Sequence, residues 1–326
     1  MNSELLAVKD LVTRFHTEDG VVEAVSGNSF TLKEKETLGI VGESGSGKTV
    51  TVLSIMGLIE NPGRIESGTI LYKGEDLLKK SNREMQKIRG DEIGMVFQDS
   101  LSSLNPTYTI GGQISRVMKY HTDLGPRKRK KRAVEILDSV GIPEAEKRAQ
   151  SYPHEFSGGM RQRALIAMAI SCNPSILILD EPTTALDVTI EAQIFELVDE
   201  LKEDFGMGTI LITHDLAVVA NSCGRVAIMY AGNIVETADV LDLYDEPLHP
   251  YTRGLLNSIP DVDTRSKETL PSIPGEVPDL IDLPAGCNFS PRCTFAKERC
   301  SEEEPGLDEK KPGRYVACIR VNEIDQ

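Results

Sequence analysis

The stretch Gly42-Glu-Ser-Gly-Ser-Gly-Lys48-Thr49 constrains this chain more than any other, because it fits the pattern G-x-x-x-x-G-K-[ST] of a loop that wraps a phosphate. Thr37-Leu-Gly-Ile-Val41 before it is short and apolar and reads as a buried strand, and Val50 to Leu58 after it has helical spacing. In that strand–loop–helix setting the glycines let the backbone curl until successive N–H groups face one anion. The helix that follows turns the positive end of its dipole to the same place. Lys48 is then expected to reach the β- and γ-phosphates of a nucleotide and the Thr49 hydroxyl to hold Mg2+, with Gly42, Ser44, Gly45, Ser46 and Gly47 forming the cradle.

Composition narrows the class of partner. The chain has 326 residues, enough for one large domain or two smaller ones, and a net charge of −15. Phosphate contacts along a nucleic acid need a surplus of Lys and Arg, so the charge argues against a general nucleic-acid binder. The start, Met-Asn-Ser-Glu, shows no basic and apolar leader. No apolar run approaches the roughly 20 residues of a membrane helix. A cytosolic setting is expected, in which the six cysteines are reduced or metal-bound rather than paired.

Along the chain, residues 5–12 and 28–34 read as strands, linked through the turn-rich Phe15-His-Thr-Glu-Asp-Gly20. Phe15 is either a stacking surface for an adenine ring or a partly buried edge aromatic. Ser67-Gly-Thr-Ile-Leu-Tyr72 and Ile93-Gly-Met-Val-Phe97 read as strands, the second ending at Gln98. From about 99 to 172 the pattern is helical, with breaks at Asn105-Pro106, Gly125-Pro126 and Gly141-Ile-Pro143, as for a helical insertion in an α/β domain. Arg127-Lys-Arg-Lys-Lys-Arg132 opens one of these helices, as a solvated face or a contact for acidic lipid headgroups.

Ile176-Leu-Ile-Leu-Asp180-Glu181 is an apolar strand ending in two carboxylates. An amphipathic helix, Val188 to Phe205, and a buried strand, Thr209-Ile-Leu-Ile-Thr213, lead to His214. Open α/β sheets bind ligands at the carboxyl ends of their strands, which sets Lys48, Gln98, Asp180, Glu181 and His214 along one edge. Asp180 suits the Mg2+ shell, and Glu181 suits a general base acting on water. Asp187 adds a further carboxylate to the turn after them. Phe156-Ser157-Gly158-Gly159-Met160-Arg161-Gln162 puts Ser and two Gly just before a helix, Met160 to Ser171, which makes a second anion site. A chain already holding its own nucleotide has use for such a site on a nucleotide held by another subunit.

These residues, in this order and at this approximate spacing, resemble the ATP-binding subunit of ABC transporters over residues 1–235. Ala185-Leu-Asp187 belongs to the same set. The signature reads Phe-Ser-Gly-Gly-Met where Leu-Ser-Gly-Gly-Gln is commonest, and the anion-facing Ser157, Gly158 and Gly159 are kept. The tail after about residue 235 is rich in Pro and reads as a separate, loop-rich appendage. Its motifs His249-Pro-Tyr-Thr252, Ile273-Pro-Gly275 and Gly286-Cys-Asn-Phe-Ser-Pro-Arg-Cys293 are similar to the ATPases of dipeptide/oligopeptide importers.

The resemblance implies an α/β phosphate-loop nucleotide-binding domain of ABC type. It would have a mixed-sheet core, a helical subdomain at about 99–172 and a small cysteine-containing extension over 236–326. It implies ATP sandwiched in a head-to-tail pair, between the phosphate loop of one ATPase subunit and the signature of a second, related one. It also implies that Gln98 couples the Mg2+–γ-phosphate centre to the membrane subunits and that His214 contacts the γ-phosphate. The pair would sit at the cytoplasmic face of the membrane under two integral permease subunits, fed by an extracytoplasmic binding protein. The cargo implied is dipeptides or oligopeptides, with nickel complexes or another solute as alternatives. A soluble ABC ATPase acting on nucleic acid or ribosomes is the competing class, against which stand one cassette, no sustained heptads and the negative charge.

Four tail cysteines, Cys287, Cys293, Cys300 and Cys318, complete the set of candidate sites. Structural zinc usually takes tight cysteine pairs, and the gaps here are five, six and seventeen residues. That spacing, with the occurrence of such a cluster in some members of the importer subfamily, leads to a 4Fe-4S cluster as the expectation. Zinc is the alternative, with free or paired thiols behind it. Cys172 and Cys223 are left out as small buried hydrophobes of the ATPase core.

Overall fold

The computed structural model describes residues 4–98, 103–184, 186–259 and 272–324. Ala185, Pro260, Pro271, the first three residues and the expected start of the helical region at 99–102 lie outside the described residues. The chain adopts the mixed α/β class and divides into two compact units, interleaved in sequence.

The first unit gathers Leu6–Thr31, Leu38–Leu78 and the chain from Thr213 on. One sheet has the order β2-β1-β4-β5, with β1 (Glu4–Thr17), β2 (Gly20–Lys33), β4 (Gly63–Tyr72) and β5 (Glu75–Asp76). β1 and β4 run antiparallel. Both opening strands outrun the expected 5–12 and 28–34, so the Phe15–Gly20 link is mostly strand, with only Glu18-Asp19 left as the turn. Cross-strand charge holds this polar end in the sheet rather than apolar alternation. Arg14 bridges Glu23 at 2.9 Å and Glu66 at 2.8 Å, and the His16 ring bonds Glu66 at 2.8 Å.

The second sheet of this unit carries the phosphate loop. β3 (Thr37–Val41) is buried throughout and pairs in parallel with β9 (Arg225–Tyr230). β9 turns into antiparallel β10 (Asn233–Asp239) through Ala231 (φ 42°) and Gly232 (φ 86°). Two successive left-handed residues suit a tight hairpin, and Ala in the first place hides the usual sequence signal. β10 pairs with β12 (Arg314–Val316), and β12 with β11 (Asp308–Lys311).

The tail therefore does not stand apart as the appendage its composition suggests. Two of its strands extend the phosphate-loop sheet, and its Tyr251 and Phe289 enter the same core. Tyr251 and Phe289 meet Tyr230 of β9 with ring centroids 4.7 and 5.2 Å away, and each other at 5.4 Å. A segment poor in large apolar residues is thus held by a few well-placed rings.

The second unit holds Leu32–Thr37 and Lys79–Ile212 with the start of β1. β6 (Ile93–Val96), β7 (Ile176–Asp180) and β8 (Gly208–Thr213) are parallel neighbours in the order β6-β7-β8. Among the described residues the helices Ile110–His121, Pro126–Ser139, Ala145–Arg148 and Gly158–Ala169 occupy the expected helical region; Asn105-Pro106 precedes the first, Pro126 opens the second behind its N-cap Gly125, and 141–143 falls between the second and third. The helix Val188–Phe205 has the bounds its periodicity predicts. In the basic run, Arg129 donates to the Leu124 carbonyl and Arg132 to Asn173 Oδ1, while Arg127, Lys128, Lys130 and Lys131 are exposed. No helix among the described residues is long and apolar enough to cross a membrane.

Phe289→Ala tests whether the tail belongs to the core. Cutting out a buried ring at 3% exposure is expected to destabilise the chain by about 3–5 kcal/mol in denaturant unfolding. Unchanged cassette unfolding would mean that the tail is an independent appendage after all.

Candidate functional site

In the first unit, the phosphate loop leaves β3 and closes into the helix Lys48–Ile55. Two of its glycines are demanded by close backbone approach. A Cβ on Gly47 (φ 98°) would stand 2.1 Å from the Ala24 carbonyl oxygen, and one on Gly42 2.2 Å from that of Met229. Ser44 and Gly45 are exposed at the loop's crest, whereas Ser46 is buried with its hydroxyl turned inward beside Gly42. Lys48 is also buried, and its Nζ donates to the loop's own carbonyls, Gly42 O at 2.8 Å and Glu43 O at 3.0 Å. The ammonium is thus held inside the curl, where it adds its charge to that of the helix N-terminus. Thr49 stands half-buried on the first turn of the helix.

Three contacts from the tail reach the loop, and no short-range sequence pattern signals them. The Tyr251 hydroxyl accepts from the Glu43 N–H at 3.0 Å. Arg292 grips the Glu43 carboxylate with two nitrogens, Nη1 at 2.6 Å and Nη2 at 3.2 Å, from 249 residues away in sequence. Phe15 is half-buried on β1 with its ring over Gly63, where an added Cβ would meet it at 2.6 Å. His214 is exposed just after β8, and Asp215 beside it caps the next helix through the Ala217 N–H.

In the second unit, β7 delivers Asp180 and Glu181. Asp180 is 2% exposed, and Glu181 takes a left-handed conformation (φ 44°) with its N–H on Ile212 O. A non-glycine residue held there is strained. Gln98 Nε2 donates to Glu181 Oε2 at 2.7 Å, so two of the expected site residues, 83 positions apart, are brought together. Ser157 is the exposed N-cap of the helix Gly158–Ala169, its Oγ accepting from the Met160 N–H at 3.3 Å. The helix begins two residues earlier than Met160, so Gly158 and Gly159 lie in its first turn. A Cβ on Gly159 would press to 2.8 Å from Ile190. Asp187 is the N-cap of Val188–Phe205, accepting from the Ile190 N–H at 3.0 Å. Its visible work is local capping, which the sequence reading did not separate from ligand contact.

Cys287, Cys293, Cys300 and Cys318 line one small cavity with Phe289, Phe295 and Ile324 among its walls. Taken as ligands of a single metal ion, the four do not converge: among the described residues no group of three or more His, Cys, Asp or Glu side chains could hold one. Burial in this pocket pushes the Cys287 thiol up to about 11, and the other three sulfurs add to the shift. The N–H groups of Phe289, Phe295 and Arg320 pull the Cys287, Cys293 and Cys318 thiols back down, but burial outweighs them and all three stay raised. The four side chains line one pocket without converging on a point.

Comparison with known proteins adds the following. Residues 25–184 match a family model described as ABC transporter, and residues 235–300 one described as oligopeptide/dipeptide transporter, C-terminal region. The chain is 52% identical to the oligopeptide transport ATP-binding protein OppD of Bacillus subtilis, over 96% of this chain and 88% of that protein. It is 49% identical to OppD of Escherichia coli, over 97% and 93%. Among solved structures it is similar to the dimeric bacterial ABC transporter cassette MJ0796, with TM-score 0.65 and 28% identity over 72% of this chain and 98% of that one. A second structure of that cassette is a post-hydrolysis dimer bound to ADP and phosphate, similar at TM-score 0.65 and 27% identity over 72% and 98%.

Proposed function

The chain belongs to the ATP-binding subunits of the oligopeptide/dipeptide ABC transporter family, and on that ground we propose that it binds and hydrolyses ATP to drive import of short peptides. The observation that carries this reading is the reach of the likeness. It runs over 97% of the chain, through the cassette and on into the tail, where a cassette alone would leave the transport class open. The proposed cassette spans 1–235 and the extension 236–326, and the subunit works from the cytoplasmic face of the membrane against integral permease subunits. Two such permeases and an extracytoplasmic peptide-binding protein complete the proposed assembly.

The roles follow from the chemistry of each group. Lys48 and the loop N–H groups bind the β- and γ-phosphates, and Phe15 offers a ring face to adenine. Thr49, Asp180 and Gln98 serve Mg2+, which neutralises charge on the phosphates. Glu181 takes the proton of the attacking water, Gln98 holds its carboxylate in place, and His214 contacts the γ-phosphate. Ser157, Gly158 and Gly159, at an exposed helix N-terminus, close on the nucleotide of a partner ATPase, with Asp187 beside the same interface.

For the four-cysteine site we propose a 4Fe-4S cluster with a structural role. The supporting observation is that the four thiols line one small pocket. When bound, such a cluster would tie four points of the tail together.

Three outcomes are expected. Glu181→Gln should keep MgATP binding and lose nearly all turnover, since the amide keeps the shape without the base. Lys48→Ala should weaken binding itself, by about 1.5–3 kcal/mol for a lost charge-assisted bond. Near-normal hydrolysis by Glu181→Gln in the assembled transporter would remove Glu181 as the base. Second, Ser157→Arg should damage the site whose phosphate loop lies in the partner subunit; full activity from a strictly monomeric chain would sink the composite site. Third, anaerobic purification should give coloured protein with matching iron and sulfide, and colourless protein carrying one zinc per chain would replace the cluster with zinc.

A further inference from the structure

The phosphate loop and the four-cysteine tail share a physical link, centred on Glu43. Its carboxylate projects from the loop's second position, next to where a nucleotide's negative phosphates would lie on the reading above. An unpaired carboxylate there would repel them and compete for Lys48. Arg292 removes both problems. Its side chain is 5% exposed, against 29% for Glu43, so the charge pair is largely sheltered from water. Two further donors are committed as well: Nε to the Pro274 carbonyl at 2.9 Å and Nη1 to the Tyr230 hydroxyl at 3.5 Å. The guanidinium is therefore fixed before it meets Glu43, and a two-point contact fixes the rotamer of Glu43 in turn. Tyr251, 0% exposed, pins the Glu43 N–H from the same side. Glu43 in turn supplies carbonyl contacts to Lys48 Nζ and the Ser46 N–H at 3.2 Å, so holding this residue holds the curl.

Arg292 also belongs to the cysteine site by covalent structure. It closes the short turn Ser290–Arg292 and is followed at once by Cys293. Backbone bonds from Ser290 N to Cys287 O, Arg292 N to Phe289 O and Cys293 N to Ser290 O make 287–293 one rigid series of turns. Cys287 N is bonded in turn to Cys300 O at 2.8 Å. A change at the thiols moves the backbone that carries Arg292, with no flexible spacer to absorb it.

We propose that Arg292 is a positioning residue for the phosphate loop, acting through Glu43, and that through it nucleotide affinity and the state of the four-cysteine site are thermodynamically linked. The linkage is reciprocal: whatever orders the thiols orders the loop, and nucleotide on the loop steadies the thiols. This rests on the nucleotide reading of the loop and deepens it by assigning the tail a part in that site.

The test is a double-mutant cycle read as the Kd of the full-length chain for MgATP, by titration with a fluorescent ATP analogue. Arg292→Gln leaves Glu43 unpaired and is expected to raise Kd about tenfold. Glu43→Gln leaves a buried guanidinium unpaired and should also weaken binding. The double variant removes both charges and is expected to return to within about threefold of the parent, a rescue that a merely structural loss would not show. Arg292→Lys, which keeps the charge and loses the fork, should fall between and serves if Arg292→Gln does not fold. Cys293→Ser should raise Kd about threefold in the parent and leave it unchanged in the double variant. Parental Kd values for Arg292→Gln or Arg292→Lys, simple additivity in the cycle, or no effect of Cys293→Ser would each overturn the proposal. A parent that binds no MgATP would instead sink the nucleotide reading itself.

Discussion

The close approach of the phosphate loop to its neighbours is the constraint on which the rest of the first unit depends. Gly42 and Gly47 lie so near the carbonyls of Met229 and Ala24 that a single added methyl would enter either oxygen. This fixes which strands must flank the loop: β2, bringing Ala24, and β9, bringing Met229. β9 in turn requires β10, because its hairpin at Ala231-Gly232 is where Gly232 donates to Ser46 O and accepts from Ser26 N. Asn28 stitches the same hairpin, giving Nδ2 to Gly232 O and taking the Ile234 N–H. A loop with so many backbone groups spoken for is preorganised to meet an anion without rearranging.

Preorganisation explains why an ammonium can be buried there. Lys48 at 5% exposure would be costly without partners, and the loop supplies two carbonyls within 3.0 Å. In the second unit the analogous expense is backbone strain at Glu181, held by its N–H bond to Ile212 O and by the Gln98 amide on its carboxylate. Both devices place charge at the carboxyl end of a parallel strand, which is where open α/β sheets leave room for ligands.

The sequence made legible those parts whose signals are local. The phosphate loop, the strand ending at Asp180-Glu181, the helix Val188–Phe205 and the capped helix behind Ser157 each carry their pattern within about twenty residues. Parts that depend on distant pairing were hidden. The ends of β1 and β2 are polar and are held by Arg14, Glu23 and Glu66, so an apolar alternation stops short of them. The β9–β10 turn uses Ala where Asn or Gly would announce it. Asp187 looks the same in sequence whether it caps a helix or meets a ligand. Arg292 lies within the Gly286–Cys293 motif, but its partner Glu43 is 249 residues away, beyond any spacing rule.

The tail shows how a segment with little apolar surface can still be integral. Its anchor is Glu236 of β10, 0% exposed, which takes the N–H groups of Leu248 and His249 at 2.8 Å each. Burial raises this carboxyl above its ordinary range, while those N–H bonds and nearby Arg314 pull it back. Arg314 bonds Glu246 Oε2 at 2.9 Å and the Glu246 carbonyl, so β12 is fixed to the same bend that Glu236 caps. β12 also covers an edge of β10 that would otherwise present open backbone groups, and charged β11 finishes the sheet. Polar contacts of this kind are directional where apolar burial is not. They set the tail in one position against the sheet, and a fixed position is what Arg292 needs to hold Glu43 with two bonds rather than one.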